Sequence, residues 1–121
     1  MIETASLVSA TEQLLEALRA LDATVTEHWP RKAPESSMIV LQEIGNVHTE
    51  ILVVDSLSYQ MDIWTTDPDT LRSLLLQADT IIAGTGFRRS MLTPMSIDGY
   101  GYHQSARYGR KVDKRTLRLI D

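Results

Sequence analysis

Three histidines, His28, His48 and His103, are the side chains best suited to metal binding or to proton transfer near neutral pH. None lies three or four residues from another, and none belongs to an H-E-x-x-H arrangement. A metal site would therefore need ligands gathered from three distant segments. We expect ordinary surface or partner-contact histidines and assign no metal site.

Other residue types with chemical potential also lack the context that their chemistry needs. Ser36, Ser37 and Ser105 have no nucleophile-elbow sequence around them, and no spacing favours a Ser-His-Asp triad. Gly84-Thr85-Gly86 follows a helical pattern and lacks the Gly-Lys-Ser/Thr ending of a phosphate loop. The chain has no cysteine, which excludes thiolate chemistry and Cys-ligated zinc. We therefore predict no catalytic residue, no cofactor and no enzyme activity; an enzyme with a dispersed site is the third-ranked alternative.

Tyrosines and basic residues near the C-terminus form the most suggestive binding pattern. Glycine-flanked tyrosines beside a basic run could stack on bases or anchor a protein interface, where Tyr and Arg are enriched. The overall acidity and the single phenylalanine argue against a dedicated nucleic-acid binder, so a specific nucleic-acid ligand is not expected. The interface candidates are Arg107, Arg110, Lys111, Lys114, Arg115, Tyr100 and Tyr102.

Charge is divided unequally along the chain. Residues 1–85 carry thirteen acidic and four basic residues, whereas residues 86–121 carry eight basic and three acidic residues. Such asymmetry is typical of a partner surface, which could receive nucleic acid or the acidic part of an identical neighbour. Alternatively, both parts fold together and the charges form solvated faces.

Length and composition place the chain among ordinary globular proteins. Its 121 residues fit one domain, and 43% hydrophobic and 23% charged residues are usual values. No apolar run approaches the roughly 20 residues of a membrane span, so no membrane partner is expected. The first residues lack the basic start and apolar core of a signal peptide.

Two amphipathic helices are predicted to support the sheet. The first covers about residues 4–22, with a capping box at Ser9-Ala10-Thr11-Glu12 or an earlier cap at Thr4. The second begins at Asp67-Pro68 and ends at Gly84 or Gly86. Its buried stripe is predicted to comprise Leu71, Leu74, Leu75, Ala78 and Ile82.

Strand patterns occupy the segments between and after these helices. The apolar run Met38–Ile44 ends at the turn signal Gly45-Asn46, and 49–66 is predicted to be a long strand, straight or bent. In the latter, alternation places one row on the core and the other towards solvent. The core row is predicted to be Leu57, Tyr59, Met61 and Ile63, and the solvent row Ser56, Ser58, Gln60 and Asp62.

The later strands are interrupted by proline and glycine. Because Pro94 cannot donate to a ladder, the strand within 87–97 should be at an edge or bulged. Gly99–Tyr102 is predicted to be a flexible joint, and 105–120 to end in the strand Leu117–Ile120. Residues 23–37 are predicted to be a connector. The element order predicts a single α+β domain over 1–121, an antiparallel β-sheet with two α-helices packed on one face.

Two segments make the sequence resemble a known family. Tyr59-Gln60-Met61-Asp62-Ile63-Trp64 precedes the Asp67-Pro68 helix, and Ser105-Ala106-Arg107-Tyr108-Gly109-Arg110 precedes Val112-Asp113. Together with the element order, they resemble the small tail-terminator and tail-completion proteins of long-tailed bacteriophages and prophages. In that family a strand of the type tyrosine-x-aspartate-isoleucine-tryptophan precedes the second helix, and this chain has one extra residue between Tyr59 and Asp62.

The resemblance implies a structural virion protein rather than an enzyme. Family members form homo-oligomeric rings, usually hexameric, at the end of the tail tube, where they stop polymerisation and meet the head connector. The implied partners are further copies of this chain, tail-tube proteins and head-connector proteins. The implied location is the virion, after assembly in the cytoplasm of the bacterial host. The alternative is a small nucleic-acid- or protein-binding module acting through the basic C-terminal segment.

Overall fold

The computed structural model describes residues 7–48 and 54–113, which form two helices and six strands. Helices are packed against one face of the sheet, as predicted for an α+β fold. Neither described helix is long and apolar enough to cross a membrane. In chain order the elements are α1 (Leu7–Leu18), β1 (Thr24–Thr26), β2 (Met38–His48), β3 (Val54–Thr65), α2 (Pro68–Gly84), β4 (Arg88–Leu92), β5 (Ser96–Asp98) and β6 (Gly101–Asp113).

The strands form one mixed sheet in the order β1-β2-β3-β6-β4, with β5 also paired to β6. β2, β3 and β6 are long antiparallel neighbours, as are the β4–β6 and β5–β6 pairs. β1 is the exception, since it runs parallel to β2. The segment 23–37, which was predicted to be a connector without a strand, therefore contains a three-residue edge strand.

The second helix follows the prediction closely. The Asp67 side chain accepts a hydrogen bond from the Thr70 amide at 2.8 Å, Pro68 occupies the first turn, and the helix ends at Gly84. The predicted stripe is the buried one: Leu71, Leu74, Leu75, Ala78 and Ile82.

The first helix differs from the prediction at both ends. It includes Ser9, so a capping box at Ser9 does not mark its start, and the alternative cap Thr4 lies outside the described residues. The helix α1 ends at Leu18 and not near residue 22 as predicted. Leu14 and Leu18 nevertheless enter the core as expected, with Leu21 partly buried beside them.

Three strand boundaries also need correction. The predicted turn at Gly45-Asn46 is wrong, because β2 continues to His48 and accommodates Gly45 with a shift of register. Residues 87–97 form two short strands around Pro94; β4 lies at the sheet edge with a register shift after Arg89, which confirms the edge prediction. The last described strand already begins at Gly101, so Gly99–Tyr102 is mostly turn and strand, and Leu117–Ile120 lies outside the described residues.

The core lies between the helices and one face of the sheet. Leu57, Tyr59, Met61 and Ile63 are fully buried there, which confirms the predicted core row of β3. The opposite row does not simply face solvent. Asp62 is only 1% exposed although it lies on the sheet face without helices, which we call the second face. Side chains of β3 and β6 surround it, namely Gln60, His103 and Ser105.

Candidate functional site

The two segments that carry the family resemblance are direct neighbours in the sheet. Strands β3 and β6 place Trp64 opposite His103, Asp62 opposite Ser105 and Gln60 opposite Arg107. In a β-sheet such alternate residues point to the same face. All six side chains therefore meet on the second face.

Asp62 is the centre of this group. Its Oδ1 is 2.8 Å from His103 Nε2 and also accepts a short hydrogen bond from the Ser105 hydroxyl. Its Oδ2 accepts a 3.0 Å hydrogen bond from the Gln60 amide, whose oxygen accepts in turn from Arg107 Nε at 3.1 Å. A buried carboxylate is costly without such partners, so this set of donors permits the burial of Asp62.

His103 joins this group to the turn before β6. Its ring is stacked on the Trp64 indole, with centroids 4.4 Å apart and planes 6° apart. Its Nδ1 is 3.4 Å from Asp98 Oδ2, and the same oxygen accepts a 3.1 Å hydrogen bond from the indole nitrogen. We call Asp62, Trp64, Asp98, His103 and Ser105 the second-face cluster.

Two aromatic residues from connecting segments complete the cover of Trp64. Trp29 and Tyr100 meet the indole edge-on, with centroids 5.2 Å and 6.0 Å away. Trp29 is itself held by a 2.7 Å hydrogen bond to Gln42 of β2. Trp29 packs on the second face and remains 47% exposed.

Asp98 is held in its charged form by its neighbours. Burial of the carboxyl raises its pKa, but hydrogen bonds from the Trp64 indole and the Tyr100 amide, together with the His103 ring, lower it more. The pKa of Asp98 is therefore below its usual value. The cluster thus contains two carboxylates directed at one imidazole.

The chemistry of the cluster is that of a closed polar network. Ser105 Oγ is 3.2 Å from His103 Nε2, a separation compatible with a nucleophile and its base. However, Asp62 accepts from both groups, so the serine proton is directed to a carboxylate and not to an unengaged imidazole. The described residues also contain no set of three ligating side chains arranged for a metal ion.

Sequence reasoning missed this cluster, since it treated His103 and Ser105 separately and predicted solvent for Asp62. The ladder brings together residues that are about 40 positions apart. A signal for it was present in the sequence, since polar or aromatic residues occur at every second position in both segments. These residues are Gln60, Asp62 and Trp64 in one segment and His103, Ser105 and Arg107 in the other.

The predicted interface residues are divided between the two faces of the sheet. Arg107 and Lys111 are exposed on the second face. Arg110 lies on the helix side, where it donates to the Thr85 carbonyl and its guanidinium is 5.9 Å from the centre of the Phe87 ring. Tyr102 is partly buried against the core. Tyr100 covers Trp64, and Lys114 and Arg115 lie outside the described residues.

Opposite charges accumulate at opposite ends of the sheet. At the β1 end, an open groove between α1 and the segment after β1 is lined by Glu12, Glu16 and Glu27 among others. Residues 7–48 contain six acidic and three basic side chains, whereas residues 85–113 contain five basic and two acidic ones. Arg88 and Arg89 lie on β4, the strand at the other end of the sheet.

Several of these charges form no ion pair within the described part of the chain. That is so for Arg88, Arg107 and Lys111 at the basic end and for Glu12 and Glu27 at the acidic end. Arg89, in contrast, pairs with Asp79 of α2 at 3.3 Å. No protein-family model matches this chain, and no curated protein matches it in sequence.

Proposed function

We propose that this protein is a structural virion protein of a bacteriophage or prophage, of the tail-terminator or tail-completion type. Copies of the chain form a ring at the end of the tail, and the ring joins the tail tube to the head connector. Assembly takes place in the cytoplasm of the bacterial host, and the product is part of the virion. The protein acts through its surfaces and not through catalysis.

One observation carries this proposal: the acidic side chains lie on and beside α1 at the β1 end of the sheet, whereas the basic side chains project from the second face at the β4–β6 end. A ring with head-to-tail contacts needs two different patches that fit each other and lie on opposite sides of the subunit. The α1–β1 end, with Glu12, Glu16 and Glu27, supplies one patch. The β4–β6 end, with Arg88, Arg107 and Lys111, supplies the other.

The size of the chain is compatible with such contacts. Its accessible surface is 7282 Å². Two patches of about 800 Å² each, the area of a standard interface per partner, would cover about a fifth of it. The remaining surface leaves room for contacts along the axis with a tail tube and a head connector.

The edge strands favour contacts between subunits through side chains and disfavour a sheet that continues from one subunit into the next. β1 has only three residues, and β4 carries a register shift and is followed by Pro94. Such features discourage strand-to-strand addition at a sheet edge. Charge complementarity therefore has to supply much of the orientation between neighbours.

The experiment is a mass measurement on the purified protein, with and without isolated tail tubes, combined with negative-stain electron microscopy. We expect closed rings, in solution at high concentration or on tube ends. Association should weaken as salt is raised, because exposed charges are screened. Monomers alone at high concentration, even with tubes present, would contradict the proposal.

A nucleic-acid-binding module is the second candidate, and one specific observation favours it. Arg88, Arg107 and Lys111 all project from the second face, so a phosphate backbone could follow them. The aromatic requirement is less well met, since Tyr100 and Tyr102 pack against other side chains. A gel-shift titration at several salt concentrations decides: tight binding by monomers, falling steeply with salt, would favour this candidate.

A further inference from the structure

The turn between β5 and β6 is attached to the sheet by few side chains. Residues 96–103 form a short hairpin in which Ser96 pairs with His103 and Asp98 with Gly101. Asp98 accepts from the Tyr100 amide at 2.8 Å within the turn and from the Trp64 indole outside it. Ile97 at its edge is 70% exposed. Tyr102 and His103 belong to the β3–β6 ladder, whereas the β5 side of the hairpin reaches β3 through Asp98 and its contacts with Trp64 and His103.

His103 has a carboxylate at each ring nitrogen. Nε2 faces Asp62 at 2.8 Å and Nδ1 faces Asp98 at 3.4 Å. An ionised carboxylate only accepts hydrogen bonds, so both nitrogens must carry a proton for both contacts to be favourable. The arrangement therefore suits an imidazolium between two carboxylates.

We propose that His103 is a proton-dependent clamp that holds β5 and the turn after it against the second face. With the ring doubly protonated, Asp62 of β3 and Asp98 of β5 are joined through it. When the ring loses one proton, one of these contacts becomes repulsive and the hairpin loosens. This inference concerns the conformation of the chain and does not depend on ring assembly.

The contact to Asp98 is the one that should be lost. Asp62 is buried and has its shorter contact with Nε2, so a proton retained there avoids leaving a buried carboxylate without its partner. The Asp98 side chain is 37% exposed and can be solvated when the contact breaks. Because Asp98 belongs to β5, loss of this contact loosens the β5 side of the hairpin, while Tyr102 and His103 stay paired with β3.

The remaining surroundings of His103 contribute no competing charge within the described residues. On β6, Ser105 is neutral and Arg107 reaches the cluster only through Gln60. From the connector, Trp29 contacts Trp64 with an uncharged ring. The helices lie on the other face. The clamp should therefore respond to the protonation of one imidazole.

The lower limit of the clamped range is set by the carboxylates. The pKa of Asp98 is below its usual value, so its contribution is present above the ordinary pKa of an aspartate and is lost as the pH falls through the lowered one. The clamp should be firmest in mildly acidic solution and weaker towards pH 8.

Nuclear magnetic resonance provides two readouts on the full chain. The first is amide hydrogen exchange in residues 96–100, corrected for the intrinsic effect of pH. The second is the indole N–H resonance of Trp64, which is bonded to Asp98. Between pH 5.5 and pH 8 we expect hairpin exchange to become about threefold faster, the size expected for a partly exposed ion pair. The indole resonance should shift over the same range.

Two variants and one control make the result specific. Asp98→Asn keeps an oxygen for the indole but removes the charge, and His103→Gln removes the titrating ring; in either variant the pH response of the hairpin should disappear. His28→Gln, at an exposed histidine, should leave the response unchanged. If His103→Gln does not fold, Asp98→Asn alone decides. An unchanged wild-type hairpin between the two pH values, or an undiminished response in Asp98→Asn, would overturn the clamp.

Discussion

Trp64 and His103 face each other across the β3–β6 pair and stack with their ring planes almost parallel. Each belongs to one of the two segments on which the family resemblance rests. The unusual residue types in those segments thus have a physical role in this chain, since they bind one another on the second face. Their spacing follows from the ladder and requires no ligand.

Removing the central carboxylate of the second-face cluster should be strongly destabilising. Asp62→Ala leaves the donors of His103, Ser105 and Gln60 without their acceptor in a buried place. Breaking such a buried set typically costs about 3–5 kcal/mol. Urea unfolding should show this loss, whereas Asp69→Ala, at an exposed ion pair with Arg72, should cost less than about 1 kcal/mol. Equal effects would show that Asp62 is not held as described.

The hairpin turn imposes a glycine at one position. Gly101 has a φ of +121°, and a Cβ built there would lie 2.6 Å from the Thr65 carbonyl oxygen. Gly101→Ala should therefore lower stability by more than about 1 kcal/mol. Gly99→Ala is the matched control, because its Cβ would meet no atom within 4 Å. Thermal unfolding of both variants tests the turn, and similar melting temperatures would contradict its geometry.

The helix α2 offers a comparison between two leucines of opposite exposure. Leu71 is fully buried against the sheet, whereas Leu76 is 70% exposed. Leu71→Ala should cost about 2–5 kcal/mol, since a buried cavity replaces the side chain. Leu76→Ala should change stability by no more than about 0.5 kcal/mol. Chemical denaturation measures both, and a reversed order would mean that the helix is rotated.

At high pH, stability should depend on a tyrosine at the helix–sheet contact. Tyr108 donates a 2.8 Å hydrogen bond to Asp79, and burial together with this carboxylate raises the pKa of Tyr108 well above its usual value. The raised pKa means that its contribution is complete below about pH 10 and is lost as the pH rises through the folded-state value.

The variant Tyr108→Phe should therefore lose about 1 kcal/mol at pH 9 and show a smaller further loss up to pH 11 than the wild type. Tyr59, whose pKa is also raised by burial, keeps part of the alkaline dependence in both proteins. Tyr100→Phe, on the other face, is the control. Parallel losses of wild type and Tyr108→Phe between these pH values would refute the assignment.

Local signals were sufficient for much of the fold. The Asp67-Pro68 start and the leucine spacing of α2 have causes within one helix, so sequence alone predicts them correctly. The alternation in β3 likewise identified the core row. The predicted strand boundaries were wrong where contacts between distant segments decide the structure. At Gly45, pairing with β3 extends β2 beyond the sequence that predicts a turn.

The candidate site was beyond such reasoning for a related reason. The sequence predicts that Asp62 faces solvent, because its burial depends on His103 and Ser105, which come from another part of the chain. The sequence predicts Arg110 to be an interface residue like the other basic residues near it, but the alternation of side chains along β6 places it on the helix side. Strand register, which no single segment specifies, decides both outcomes.

The division of charge between the two ends of the sheet is tested most directly by reciprocal charge reversal. One variant carries Glu16→Lys and Glu27→Lys at the acidic end, and the other carries Arg88→Glu and Lys111→Glu at the basic end. All four side chains are exposed, so both variants should fold like the wild type, as circular dichroism can verify. Arg110 is left unchanged because of its internal contacts.

Each variant has like charges at both ends and should remain monomeric under conditions where the wild type associates. An equal mixture restores opposite charges at every contact of an alternating ring, so its mass should return to that of the wild-type assembly. The decisive measurement is the mass distribution of the two variants, alone and mixed, beside the wild type. Assembly through these two oppositely charged ends predicts that the mixture recovers the wild-type mass. Variants that assemble alone as the wild type does, or a mixture that stays monomeric while the wild type assembles, would contradict it.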